Sequence, residues 1–187
     1  MSMKYSLSLT LMVIGLSILF SCDDDDMQDI KRPILLPGDT TLGIAQGMRN
    51  NIDWTASGYA VEIDSVNEVY AINFETFNEF GHRRENLTLS NIRLQTSPFE
   101  LVDDPELGKV DVFYSTVGAD GDSLEDVYVM KDGSTNQFSI LEVDSIQQII
   151  KGGFEINFKI RNQNDKVNQN NPDEIIFESI LYSVKYK

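Results

Sequence analysis

Residues 154–161 read FEINFKIR. Phe154, Ile156, Phe158 and Ile160 alternate with Glu155, Asn157, Lys159 and Arg161. Successive side chains of a β-strand point to opposite faces, so a period of two puts all four apolar residues on one side. The stretch predicts a strand with one buried face and one face in water. Behind it runs NQNDKVNQNNPD (residues 162–173), whose only apolar residue apart from its proline is Val167. That composition predicts a long polar hairpin loop, mobile at the surface.

The same period recurs along the chain. Tyr70, Ile72 and Phe74 alternate with Ala71, Asn73 and Glu75, and Tyr59, Val61 and Ile63 follow Trp54 in the same way. Val110, Val112 and Tyr114 mark another strand, and Val127 with Val129 a shorter one. The last strand, EIIFESILYSVKY (174–186), keeps Ile180, Tyr182, Val184 and Tyr186 on one side. Two stretches change phase: Leu87 and Leu89 give way to Ile92 and Leu94, and Phe138 and Ile140 to Leu141 and Val143. Such a switch predicts a β-bulge or a strand that bends between two layers. Helical periodicity is almost absent, and Gly, Asn, Asp and Pro separate the segments. The chain is therefore read as all-β, with roughly eight to nine strands in an antiparallel meander. Such a meander closes into a small barrel or folds into a two-layer sandwich, and periodicity fits both. Residues 42–187 are long enough for one such core and short for two.

The N-terminus has a different logic. Lys4 precedes an uncharged apolar run at 6–20, SLSLTLMVIGLSILF. A membrane-spanning helix needs about 20 apolar residues, so length and flanks fit a secretory signal peptide instead. Leu19-Phe20-Ser21-Cys22 resembles a lipobox, with Phe20 bulkier than the usual residue. The resemblance implies that Cys22 takes a diacylglyceryl group and becomes the mature N-terminus once residues 1–21 are removed. Two or three acyl chains hold a protein at a membrane surface without spanning it. Residues 22–41 then form a lipidated acidic tether. Asp23, Asp24, Asp25 and Asp26 repel one another and keep it extended and solvated. An acidic run directly after the lipidated cysteine also resembles the surface-export signal of Bacteroidota lipoproteins. That implies a place on the cell outer membrane, facing the outside. The tether is thus a spacer or an export signal.

Charge narrows the partners. The chain carries −15, and losing residues 1–21 removes only Lys4, which takes it to −16. Such a chain repels phosphate, so nucleic acid is excluded. With Cys22, the only cysteine, lipidated, no disulfide forms and the core alone must hold the fold.

Three stretches carry a family resemblance: GIAQGMRNNIDWTASGYAVEI (43–63), NQFSILEVDSIQQIIKGGFEINFKI (136–160) and EIIFESILYSVKY. The first is a polar turn followed by a tryptophan. The second leads a strand through a turn into Gly152-Gly153-Phe154. Together they resemble the small lipocalin-like lipoprotein domains of unknown function found in Bacteroidota. The resemblance implies an antiparallel barrel or half-barrel. It brings no catalytic residues and no ligand.

The chain carries few groups arranged for chemistry. His82, the only histidine, sits in the charged turn GHRRE, where a solvated loop position is the simpler reading. No G-x-S-x-G elbow and no phosphate-cradling glycine loop is present. Asp103-Asp104 and Glu125-Asp126 read as solvated positions in turns or at strand edges. The loop GADGDSLED (118–126) offers Asp120, Asp122 and Asp126 as oxygen donors for calcium, but Leu124 stands where an EF-hand needs a ligand, and a plain acidic turn is the simpler reading. Asn86-Leu87-Thr88 has the N-glycosylation spacing. Asp39-Thr40-Thr41, Asp64-Ser65-Val66, Asp122-Ser123-Leu124 and Asp144-Ser145-Ile146 resemble the acceptor pattern of Bacteroidota O-glycosylation, with Thr40 in the linker the most accessible. The chain is read as non-enzymatic, with no cofactor and no metal. Its expected role is a binding module for a small molecule, glycan or peptide, with Tyr59, Tyr70, Tyr114 and Tyr128 as candidate lining. The alternative is an interaction or structural subunit that docks on another envelope protein.

Overall fold

The computed structural model describes residues 43–103 and 109–186. The first hairpin joins β1 (Gly43–Arg49) to β2 (Ile52–Asp64) through Asn50 and Asn51, at φ 50° and 61°. Two successive left-handed residues make the tight turn whose twist matches flanking strands, and asparagine tolerates that region better than most residues. β3 (Val69–Phe77) and β4 (Arg83–Arg93) continue the meander antiparallel. β7 (Val110–Val117) pairs with β4, and β8 (Leu124–Met130) pairs with β7. β10 (Ile149–Ile160) and β11 (Glu174–Lys185) form the longest hairpin. β11 also pairs with β1, so the sheet closes on itself. Eight strands thus make an antiparallel barrel, which decides between the two architectures that the periodicity allowed.

Three further strands complete the wall. β8 reaches only Phe158–Ile160 of β10, and β9 (Gln137–Asp144) pairs with the first half of β10 instead. β5 (Ser97–Phe99) pairs with β9, and β6 (Leu101–Val102) pairs with β7 in parallel. Residues 97–102 therefore cross the gap that β8 leaves between β9 and β7. The amide of Val110 donates to the Glu100 carbonyl at 2.9 Å and fixes the crossing.

Both phase changes are bulges. Tyr70 pairs with Ile92 and Ile72 with Leu89, so two residues of β4 oppose one of β3. Asn91 takes φ 62° there. On β9 the register slips between Glu142 and Ile140, which pushes Leu141 outward and returns Val143 to the core side. The barrel has two ends. One carries the β2–β3 and β9–β10 hairpin tips and the start of β1. The other carries the β1–β2, β3–β4 and β7–β8 turns and the β10–β11 loop.

That loop is tied down rather than loose. The buried carboxylate of Asp126 accepts from the amide of Val167 at 2.7 Å and from Nδ2 of Asn171 at 2.6 Å. The Tyr128 hydroxyl donates to the Pro172 carbonyl at 2.9 Å. Asp126 therefore corrects the expectation of a solvated position: its place in β8 follows the inward phase of Tyr128 and Met130. The wall is apolar inside and carries Glu155, Asn157 and Lys159 outside. A membrane-spanning barrel has the opposite polarity. Among the described residues no helix is long and apolar enough to cross a membrane.

Candidate functional site

The barrel interior is occupied by its own side chains. Trp54 meets Phe177 edge-on with ring centroids 4.9 Å apart, Tyr114 packs on Phe158 at 5.3 Å, and Phe74 on Phe154 at 5.4 Å. All six are buried. Each such pair contributes about 0.5–1.5 kcal/mol beyond the area it removes from water. A ligand on the barrel axis would have to displace these rings, so this interior is core. Of the candidate tyrosines, Tyr114 and Tyr128 belong to that core. Tyr70 lies at the opposite end against Tyr186, at 5.8 Å, and Tyr59 is partly exposed on the wall. The four do not come together as a site.

The core ends in a charged cluster below the β1–β2 turn. Glu85 shares the inward phase of Leu87 and Leu89 on β4. Its Oε2 accepts from Trp54 Nε1 at 3.1 Å and from Thr76 Oγ1 at 3.2 Å. Its Oε1 accepts from the Tyr114 hydroxyl at 3.1 Å and pairs with Arg49. Burial pushes the Tyr114 hydroxyl well above its ordinary pKa, and also raises Tyr128, to about 12. Every acceptor site on Glu85 is in use, so the cluster closes this end of the barrel and leaves no group directed at a ligand. The alternation of Glu85, Leu87 and Leu89 was the sequence signal for it.

An open space lies at the opposite end. A groove of about 550 Å³ runs between the β2–β3 hairpin and the end of β4 with the strap that follows it. Ile63, Asp64, Asn67 and Val69 form one wall. Asn91, Arg93 and Gln95 lead the other, which continues through Ser97 to Glu100. Asp64 lines the groove and also caps its hairpin: its Oδ1 accepts from the amides of Val66 at 2.9 Å and Asn67 at 3.1 Å, and its Oδ2 from Asn67 Nδ2 at 2.7 Å. The Asn67 bonds, side chain first, hold its carboxyl below the ordinary pKa. Glu100 pairs with Lys109 at 3.0 Å. No motif marked this groove, because its walls come from segments that meet only in the fold.

His82 is exposed in the β3–β4 turn, and its Nδ1 lies 3.1 Å from the Ala119 carbonyl. Asp120 accepts from the Ser123 hydroxyl at 2.6 Å and from the amides of Asp122 and Ser123, both at 3.1 Å. Those bonds, led by the hydroxyl, bring its pKa down to about 2. Asp126 turns away toward the β10–β11 loop, so the three aspartates do not converge. Among the described residues no group of three His, Cys, Asp or Glu could hold a metal ion. Asn86 uses its amide on Thr88 Oγ1 at 3.1 Å. Ser65 and Ser145 stand exposed on two hairpin tips of matching build, in which Asp64 and Asp144 each cap two amides. Cys22, the export run Asp23, Asp24, Asp25 and Asp26, and Thr40 lie outside the described residues.

The fold and groove define a class: a closed eight-stranded antiparallel barrel with a filled interior and a polar groove on its outside. No protein-family model matches the chain, and neither a curated protein nor a solved structure matches it.

Proposed function

We propose that the chain is a lipid-anchored binding module that holds its ligand outside the barrel, in the groove beside the β2–β3 hairpin. One observation carries this reading: the interior is packed with rings, while the groove offers about 550 Å³, within the range of small-molecule sites. Its walls supply amide, hydroxyl and guanidinium groups, a composition suited to a polar ligand such as a glycan. A library of small polar ligands screened by ligand-observed NMR tests it. Ser97→Trp would fill the groove and should abolish binding. Binders that survive Ser97→Trp would overturn the reading.

The anchor belongs to the same proposal. Cys22 would carry the lipid on the outer membrane, and the aspartates at 23–26 would send the protein to the outer face. The polar outer wall supports anchoring over spanning. Cys22→Ala should release the protein from the membrane fraction. Replacing the four aspartates with alanine should leave it anchored but protected from protease added to intact cells. Unchanged partitioning or unchanged digestion would sink the respective half.

A second reading, docking on another envelope protein, draws on the two matched hairpin tips. Val66 and Ile146 stand 89% and 93% exposed at the same end of the barrel. If that end docks, a Val66→Ser, Ile146→Ser variant should leave its native complex and run as a smaller species on a native gel.

A further inference from the structure

We propose that the groove takes a hydroxylated monoanion of the sugar-acid class, with the ligand carboxylate on Arg93. The inference rests on the groove being the binding site. It starts from an imbalance. The chain has 30 Asp and Glu against 15 Lys and Arg. Lys131, Lys151, Lys159 and Lys166 each pair with a carboxylate; among the described residues Arg93, Arg161 and Lys185 do not, and of these three only Arg93 lines the groove. The Arg93 guanidinium has no hydrogen-bond or ion-pair partner among the described residues. Both carboxylates of the groove are already engaged, Glu100 by Lys109 and Asp64 by its own hairpin.

The backbone aims this arginine. Without the bulge, β4 would keep the phase of Leu87 and Leu89, and residue 93 would face the core. The extra residue at Ser90-Asn91 shifts the phase, so Ile92 is buried and Arg93 is exposed on the outer side opposite Val69. Bulges beside binding sites commonly re-aim a side chain in this way. A guanidinium offers a planar fork of donors that matches a carboxylate in two parallel bonds.

The neighbours read hydroxyls. The Gln95 side-chain amide has no partner among the described residues and supplies both donor and acceptor. Ser97 Oγ donates to the Pro98 carbonyl at 2.8 Å, which leaves its lone pairs to accept. Asn67 donates through Nδ2 to Asp64, which leaves its Oδ1 to accept. Charge sets the valence. Glu100 pairs with Lys109, and Asp64, its carboxyl held below the ordinary pKa, lines the same groove as Arg93. One negative charge on the ligand is matched by Arg93, and a second would face Asp64. A monocarboxylate therefore fits better than a phosphate dianion.

The test uses the folded chain labelled with nitrogen-15 and titrated at low ionic strength with D-glucuronate, D-glucose and acetate. D-Glucuronate should shift the Arg93 Nε and Gln95 side-chain signals saturably. Arg93→Gln should weaken that binding tenfold or more. Arg161→Gln removes the same charge at the far end of the barrel and should leave it unchanged. D-Glucose and acetate should each bind at least tenfold more weakly than D-glucuronate. Acetate equal to D-glucuronate, binding unaffected by Arg93→Gln, or no saturable shift would overturn the proposal. If D-glucose shifts Gln95 and Asn67 equally in the parent and in Arg93→Gln, the carboxylate inference fails while the groove reading stands.

Discussion

The indole Nε1 of Trp54 donates to Oε2 of Glu85 across 3.1 Å, inside the barrel and next to the Phe177 ring. The bond joins the first hairpin to β4, two segments that touch only through the barrel. Glu85→Ala would leave the indole, the Tyr114 hydroxyl and the Arg49 guanidinium without their shared acceptor. Removing one partner of a buried hydrogen-bonded set costs about 1–3 kcal/mol, and more when a charge loses its counter-charge. Arg49 is 30% exposed and recovers some hydration. The expected loss is about 3 kcal/mol by urea denaturation, with a changed Trp54 emission. Glu85→Gln keeps the acceptor and should lose less. A loss below about 1 kcal/mol for Glu85→Ala would show that the cluster does not hold the fold.

Asp126 is the tie of the β10–β11 loop. Asp126→Ala should expose the amides of Val167 and Asn168 to exchange while amides in the middle of β10 stay protected. The stability cost should be about 1 kcal/mol, because the orphaned donors are exposed or half-buried and regain water. Unchanged exchange at Val167 would mean that the loop is held by something other than this carboxylate.

Gly152 faces the core on β10 with no room for a side chain. A Cβ there would stand 2.1 Å from the Ser139 carbonyl and 2.4 Å from the Tyr182 hydroxyl, well inside contact distance. Tyr182 already donates to that carbonyl at 3.1 Å. Gly152→Ala must part β9 from β10 or displace Tyr182. Overpacking of this kind costs about 1–3 kcal/mol, and the backbone contact places this substitution at the upper end. Gly133 sits in a turn where a Cβ would meet nothing within 4 Å, although its φ of 73° adds backbone strain. Gly133→Ala should therefore cost less, about 1 kcal/mol. Thermal melts of the two variants check the order.

Alkaline pH should unfold the barrel through its tyrosines. Burial raises the hydroxyl pKa of Tyr114 and Tyr182 far above 10 and that of Tyr128 to about 12. The unfolded chain ionises them near 10. Their contribution is whole below pH 10 and is lost progressively as pH rises above 10, for Tyr128 through about 12. Tyrosinate absorbance from these three should appear together with loss of β-sheet circular dichroism. Absorbance that completes before the sheet melts would contradict the burial.

The strands with large alternating side chains were legible because one residue type marks one face. Phe154 to Ile160 needed no tertiary information, and the phase breaks at Leu89–Ile92 and Ile140–Val143 pointed to real bulges. β1 was not legible as a strand. Its inward positions are Ala45 and Gly47, kept small because Gly47 lies against Ile180, so no apolar alternation shows. β5 and β6 are too short to carry a period, and Pro98 argues against a strand. Eleven strands therefore stand among the described residues where the alternation predicts about eight to nine. Glu85 and Asp126 were visible as charges, yet apart from Thr76 the partners of their carboxylates lie 29 to 45 residues away. The groove was invisible for the same reason, since Asp64 and Gln95 line one space only once β2, β3 and β4 have paired.

The central claim is that ligand binds outside a filled barrel. Chemical-shift mapping of any ligand found in the polar screen, read on backbone amides and aromatic carbons together, tests it most directly. The account predicts shifts at Asn67, Arg93, Gln95 and Ser97, with the ring signals of Phe154, Phe158 and Phe177 unmoved. Shifts centred on those rings, with the groove amides silent, would contradict it.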